Sequence, residues 1–99
     1  MNNENDKEFK EKIIMTAKEA RDIANKKNEE IQKVESLLLN IGKFIGKVAK
    51  EGGYTIVYNI EYNTDEKIVT LVIDYLKSLG YRVTETDNEY FRKLIIEFN

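Results

Sequence analysis

Tyrosine and arginine are the residues of this chain best suited to holding a small ligand. Tyr54, Tyr58 and Tyr62 recur at every fourth position of Tyr54-Thr-Ile-Val-Tyr-Asn-Ile-Glu-Tyr62. On a strand they share one face with Ile56 and Ile60, while Thr55, Val57, Asn59 and Glu61 take the other. An aromatic ladder can stack a nucleobase, and its phenols can hydrogen-bond a ribose or phosphate. Arg82 and the Arg92-Lys93 pair follow on later strands. A three-residue hairpin loop, Thr86 to Asn88, sets Arg82 opposite Arg92; a two-residue loop sets it opposite Lys93. Either register lets two cations share a face and clamp a phosphate. Tyr58, Tyr62, Arg82 and Arg92 are therefore the candidate ligand-binding residues. The same residue types also suit a half-buried sheet and a solvated surface balanced by Glu61, Glu85, Glu89 and Glu97.

Catalytic chemistry has little to work with. The chain has no histidine and no cysteine, which removes the commonest general base, the commonest metal ligand, thiol nucleophiles and disulfides. The carboxylates show no diagnostic pairing, and no calcium loop of the D-x-D-x-D-G kind is present. Asp65-Glu66 opens a helix, where negative charge complements the dipole, and Asp74 falls on that helix among apolar positions. Gly52-Gly53 comes after a helix and before a strand, the reverse of a phosphate loop, and marks a helix stop. No catalytic residue, metal site or cofactor is expected, and an enzyme is the least favoured class.

Ninety-nine residues with 41% hydrophobic and 34% charged side chains make one domain with a modest core. Sixteen basic against eighteen acidic residues leave a net charge of −2, which argues against a nucleic-acid polymer as partner. The opening MNNENDKEFKEK is too polar for a signal peptide, and no stretch reaches membrane-spanning length, so a cytoplasmic protein with no membrane partner is expected.

The elements that must position these residues begin with a helical seam. Ala17, Ala20, Ala24, Lys27, Ile31, Val34, Leu38, Ile41, Ile45 and Val48 alternate at spacings of three and four, with Lys27 the only break. This predicts a helix over about 7–50, loosened near Asn25–Asn28, behind a disordered tail at 1–6. A capping box at Thr16–Glu19 offers a second start. The seam is narrow and alanine-rich at first, suiting a partner helix. It then widens through Leu37, Leu38, Ile41, Phe44 and Ile45, suiting a sheet. Ala20, Ala24, Ile31, Val34, Leu38 and Ile41 are the expected oligomerisation residues, and a homo-oligomer is the expected state.

After Gly52-Gly53 the pattern predicts a strand at 54–62, a helix capped by Asn63–Glu66 and ended by Gly80, a strand at 81–85 and a hairpin partner at 90–98. The expected class is α+β: a long N-terminal helix before a β-α-β-β unit with a three-stranded mixed sheet, its last strand in the middle and its crossover right-handed if the two strands it joins are parallel. Residues 7–99 form the single domain. Two free sheet edges in so small a protomer also favour pairing with another copy.

Three stretches carry a family resemblance: Thr16-Ala-Lys-Glu-Ala-Arg21, Ile45-Gly-Lys-Val-Ala-Lys-Glu-Gly-Gly-Tyr54, and Leu76-Lys-Ser-Leu-Gly-Tyr-Arg-Val83. Over residues 15–98 the chain resembles small accessory proteins of phages of low-GC Gram-positive bacteria. These often begin Met-Thr-Ala-Lys-Glu-Ala-Arg, here Met15 to Arg21, and many end in Ile-Ser-Trp, where this chain has Glu97-Phe98-Asn99. The resemblance implies a counter-defence factor in the cytoplasm of an infected host cell. One such class, the nucleotide sponges, sequesters cyclic ADP-ribose-like or cyclic-nucleotide immune signals at protomer interfaces without cleaving them. The alternative is a protein-protein inhibitor or adaptor acting on a host defence protein.

Overall fold

The computed structural model describes residues 13–88 and 90–99. Its elements follow in the order α1 (Ala17–Lys50), β1 (Thr55–Ile60), α2 (Glu66–Ser78), β2 (Arg82–Asp87) and β3 (Arg92–Glu97). The chain is α+β, and its contacts divide it into two units, Met1–Ile31 and Gln32–Asn99. The expected tail at 1–6 and the expected helix start at residue 7 lie outside the described residues.

In the first unit the helix opens at Ala17. Residues 14–16 are not helical, so the expected continuity across them fails, and the capping box is the reason. Thr16 Oγ1 accepts the Glu19 N–H at 3.1 Å, and the Thr16 carbonyl accepts the Ala20 N–H at 3.0 Å. A residue in that role takes a non-helical backbone and satisfies a donor the helix leaves free. From there α1 runs unbroken through Asn25–Asn28. Lys27, the break in the seam, pairs with Glu30 one turn on at 3.4 Å.

The second unit holds the core. Ile41 of α1, Val69, Val72 and Leu76 of α2, and Ile56, Ile60, Leu94 and Ile96 of the sheet are buried together. Val34, Leu37, Leu38, Ile45 and Val48 of α1 pack around them. The wide half of the seam is therefore spent inside this unit. Ile41, expected among the oligomerisation residues, is fully buried and is not available to a partner. Val34 and Leu38 are half-buried against the same core.

Both helices end in the same way. Gly53 N–H bonds to the Val48 carbonyl at 2.9 Å and Gly52 N–H to Ala49 at 3.0 Å; Tyr81 N–H bonds to Leu76 at 3.2 Å and Gly80 N–H to Lys77 at 3.0 Å. This paired closure needs a left-handed residue, which Gly52 (φ 86°) and Gly80 (φ 99°) supply. Gly80→Ala forces a side chain into that region and should cost about 1–2 kcal/mol in urea unfolding. A loss below about 0.3 kcal/mol would mean that the helix end relaxes freely.

The sheet order is β1-β3-β2, so the last strand lies in the middle. Both pairings are antiparallel, with Ile56 opposite Ile96 and Ile60 opposite Arg92 on one side, and Val83 opposite Ile96 and Asp87 opposite Arg92 on the other. The mixed sheet that was expected is thus an antiparallel one. Strands β1 and β2 run the same way, but β3 inserts between them and they never pair. The face carrying Ile56, Tyr58, Ile60, Val83, Leu94 and Ile96 is the one the helices cover. The other face presents Val57, Thr84 and Ile95 side by side.

Candidate functional site

The hairpin register decides where the arginines go. Asn88 Oδ1 accepts the N–H groups of Tyr90 and Phe91 at 2.8 and 2.9 Å, and Asn88 N–H bonds to the Phe91 carbonyl at 3.1 Å. An asparagine that folds its side chain onto the following backbone makes a turn of its own. The connection therefore spans Asn88 to Phe91, and β2 extends to Asp87. Arg82 falls opposite Glu97, and Arg92 opposite Asp87. Neither expected register occurs. Arg82 and Arg92 lie at opposite ends of the hairpin, about 17 Å apart along β3, and on opposite faces of the sheet. Lys93 shares the open face with Arg82, and its Nζ lies 4.8 Å from the ring centroid of Phe91.

Arg92 follows the alternation of its strand inward. It is 4% exposed, sharing the helix-covered face with Leu94 and Ile96. A cation there requires counter-charges, and three carboxylates from two elements supply them. Nη2 donates to Glu66 at the start of α2 and to Glu85 of β2, the latter at 2.9 Å. Nη1 donates to the Thr64 carbonyl at 3.2 Å, and Nε lies 3.6 Å from Asp87 Oδ1 without a hydrogen bond. The Glu85 hydrogen bond raises the Arg92 pKa above its ordinary value; burial opposes this and Glu66 adds to it. Because the folded-state pKa is raised, the stability this contributes, for as long as the carboxylates carry their charge, is present below the ordinary arginine value and lost as pH rises above it.

Of the four expected ligand residues, Tyr58 and Arg92 share the helix-covered face, and no hydrogen bond, ion pair or ring contact joins any two of the four. Tyr58 is half-buried and packs edge-on against Phe44 of α1, with ring centroids 5.9 Å apart at 62°. Tyr62 lies beyond β1, exposed. Arg82 is exposed and paired with Glu97 at 3.5 Å, and it also donates to Asn99. Such a surface pair contributes at most about 1 kcal/mol. Arg92 is held by its carboxylates.

The tyrosine pattern has another outcome that spacing alone did not reveal. Tyr54, Phe98 and Tyr81 continue the register past the strand ends and make a row across all three strands, with centroids 6.4 Å and 6.0 Å apart. The Tyr54 carbonyl accepts the Phe98 N–H at 2.9 Å, closing that end of the sheet. The period-two pattern carries the signal that Arg92 is buried, since it shares the parity of Leu94 and Ile96, but not which carboxylates meet it. Of the six expected oligomerisation residues, Ala20, Ala24 and Ile31 are exposed. Among the described residues, no group of three or more carboxylates is placed to hold a metal ion, and no helix is long and apolar enough to cross a membrane. The chain matches no protein-family model, no curated protein and no solved structure.

Proposed function

We propose that this protein is a non-enzymatic binding protein that assembles as a homo-oligomer through the first turns of α1. One observation carries the reading: every residue from Ile13 to Glu29 is exposed, although Ala17, Ala20 and Ala24 keep a continuous seam with Ile23 beside it. Helical turns of that length gain most of their stability from packing, so an unburied amphipathic run points to a partner. The resemblance of its sequence to phage accessory proteins supports a role in the cytoplasm of an infected cell, against host defence.

A host defence protein is the favoured target. The Arg92 guanidinium, the buried cation best placed to grip a phosphate, is already met by three carboxylates that bring a local excess of negative charge. A nucleotide-derived signal is the second reading. It is supported by the exposed Tyr62 ring and the exposed Arg82 guanidinium, which only a junction between copies could bring to one ligand.

Native mass spectrometry on protein purified from cells with an active nucleotide-based defence separates these. A discrete oligomer without adduct, losing mass on Ala24→Glu, is the expected result. A nucleotide-sized adduct would move the reading to sequestration, and a monomer at all concentrations would overturn self-association.

A further inference from the structure

Among the described residues the sheet has two free edges, and they differ in kind. Strand β2 carries Arg82, Glu85 and Asp87, charges of the sort that keep an edge from pairing. Strand β1, Thr-Ile-Val-Tyr-Asn-Ile, carries no charge, no proline and no glycine. Its Val57 is 59% exposed on the open face. An uncharged, β-branched edge with unpaired backbone groups is a template for another strand.

The sequence of β1 says which strand. Around Val57 it reads Thr55-Ile56-Val57-Tyr58-Asn59, with polar, apolar and polar positions mirrored about the centre. We propose that β1 pairs antiparallel with β1 of a second copy, about a two-fold axis that passes between the two Val57 residues and is normal to the sheet. Val57 then faces Val57, Ile56 faces Tyr58, and Thr55 faces Asn59, so each apolar side chain meets an apolar one and each polar one a polar one. The parity matters, because only registers that pair even with even and odd with odd keep the helices of both copies on one face. Two antiparallel sheets of three strands become one of six.

Five paired residues of β1 from each copy fall well short of the roughly 800 Å² per partner of a standard interface. The side chains around β1 add contact area on both faces. Val57 meets its counterpart on the open face, and on the helix side the Phe44–Tyr58 pair of each copy comes to the axis, with Phe44 itself 53% exposed. Tyr54 and Tyr62, both exposed, flank the strand at its two ends. This contact uses none of the α1 seam residues. It extends the self-association proposed above, and two separate self-pairing surfaces on one chain build assemblies larger than a dimer.

The absence of cysteine makes the test direct. Directly opposed residues of an antiparallel pair have Cα atoms about 4.5–5.5 Å apart, within disulfide range. In the full chain with Val57→Cys, oxidised glutathione should convert most of the protein to a covalent dimer, read by intact mass. Thr84→Cys, on the same face at the charged edge, should stay single. Val57→Lys should halve the native mass and leave the circular dichroism spectrum unchanged. Failure of Val57→Cys to cross-link, or equal cross-linking of both cysteine variants, overturns the proposal. Adding Ala24→Glu keeps the two interfaces apart: the Val57→Cys dimer should persist when the seam is broken. A seam variant that still lowers the native mass while Val57→Cys remains single sinks the edge pairing alone.

Discussion

Replacing Glu66 and Glu85 together by alanine should destabilise the fold more than replacing Arg92 by methionine, by about 3–5 kcal/mol against about 1–2 kcal/mol. The asymmetry comes from where the charges sit. The Arg92 side chain is 5% exposed, whereas Glu66 is 78%, Asp87 57% and Glu85 30% exposed. Methionine at 92 fills much the same volume and leaves carboxylates that water can reach, at the cost of their mutual repulsion and one unpaired Thr64 carbonyl. Removing the two glutamates leaves a buried guanidinium with that carbonyl and an Asp87 oxygen at 3.6 Å. A buried charge left with one distant carboxylate in place of three is among the few causes that can remove a large part of a small domain's stability, which is typically about 5–15 kcal/mol. Urea unfolding of the two variants beside wild type gives the ranking. The opposite order would show that carboxylate repulsion dominates the cluster and that Arg92 serves mainly to relieve it.

The same residue shows how far the sequence could be read. The alternation of Ile56, Tyr58 and Ile60 locates β1, the Asp65 cap and Gly80 bracket α2, and the widening of the seam after Val34 identifies the half of α1 that enters the core. Asp65 does cap that helix, its side chain accepting the Lys67 N–H at 2.9 Å. These features are local, written in spacing and in single capping residues. Hairpin register is not written that way. It depends on Asn88 taking the turn onto its own side chain, which lengthens β2 to Asp87 and separates Arg82 from Arg92. The face of each arginine is fixed by alternation in its own strand, and the register then sets Arg82 opposite Glu97 and Arg92 opposite Asp87, so a candidate phosphate clamp becomes one surface pair and one buried cluster. The strand order, with β3 in the middle, is the expected one; with β1 and β2 running the same way and β3 hairpinned to β2, that order leaves both pairings antiparallel, and the expected mixed sheet does not form. Composition suggested a ligand face because tyrosine and arginine serve binding and packing alike; the contacts of Tyr58 with Phe44 and of Arg92 with its carboxylates are packing.

Two isoleucines of one seam, ten residues apart, should respond to truncation in opposite ways. Ile41 is the one residue of α1 that is fully buried, set among Ile56, Leu94 and Ile96 of the sheet and Val72 and Leu76 of α2. Ile41→Ala removes three carbon atoms from a closed core and leaves a cavity between a helix and a sheet that cannot both move in. The expected cost is about 2–5 kcal/mol, near 15 °C in midpoint for a domain of this size, and it should not depend on protein concentration. Ile31 is 42% exposed in the protomer. Within one copy, Ile31→Ala should change stability by less than about 0.5 kcal/mol. If a second copy covers the seam, the same substitution removes apolar surface from the junction, and its effect grows with protein concentration because association stabilises the folded state by mass action. Thermal unfolding of both variants over a hundredfold range of concentration reads both. A concentration-independent loss at Ile41 together with a concentration-dependent one at Ile31 is the expected pair. A small, flat response at Ile31 would leave the first turns of α1 without a partner of their own kind and remove the seam from the assembly.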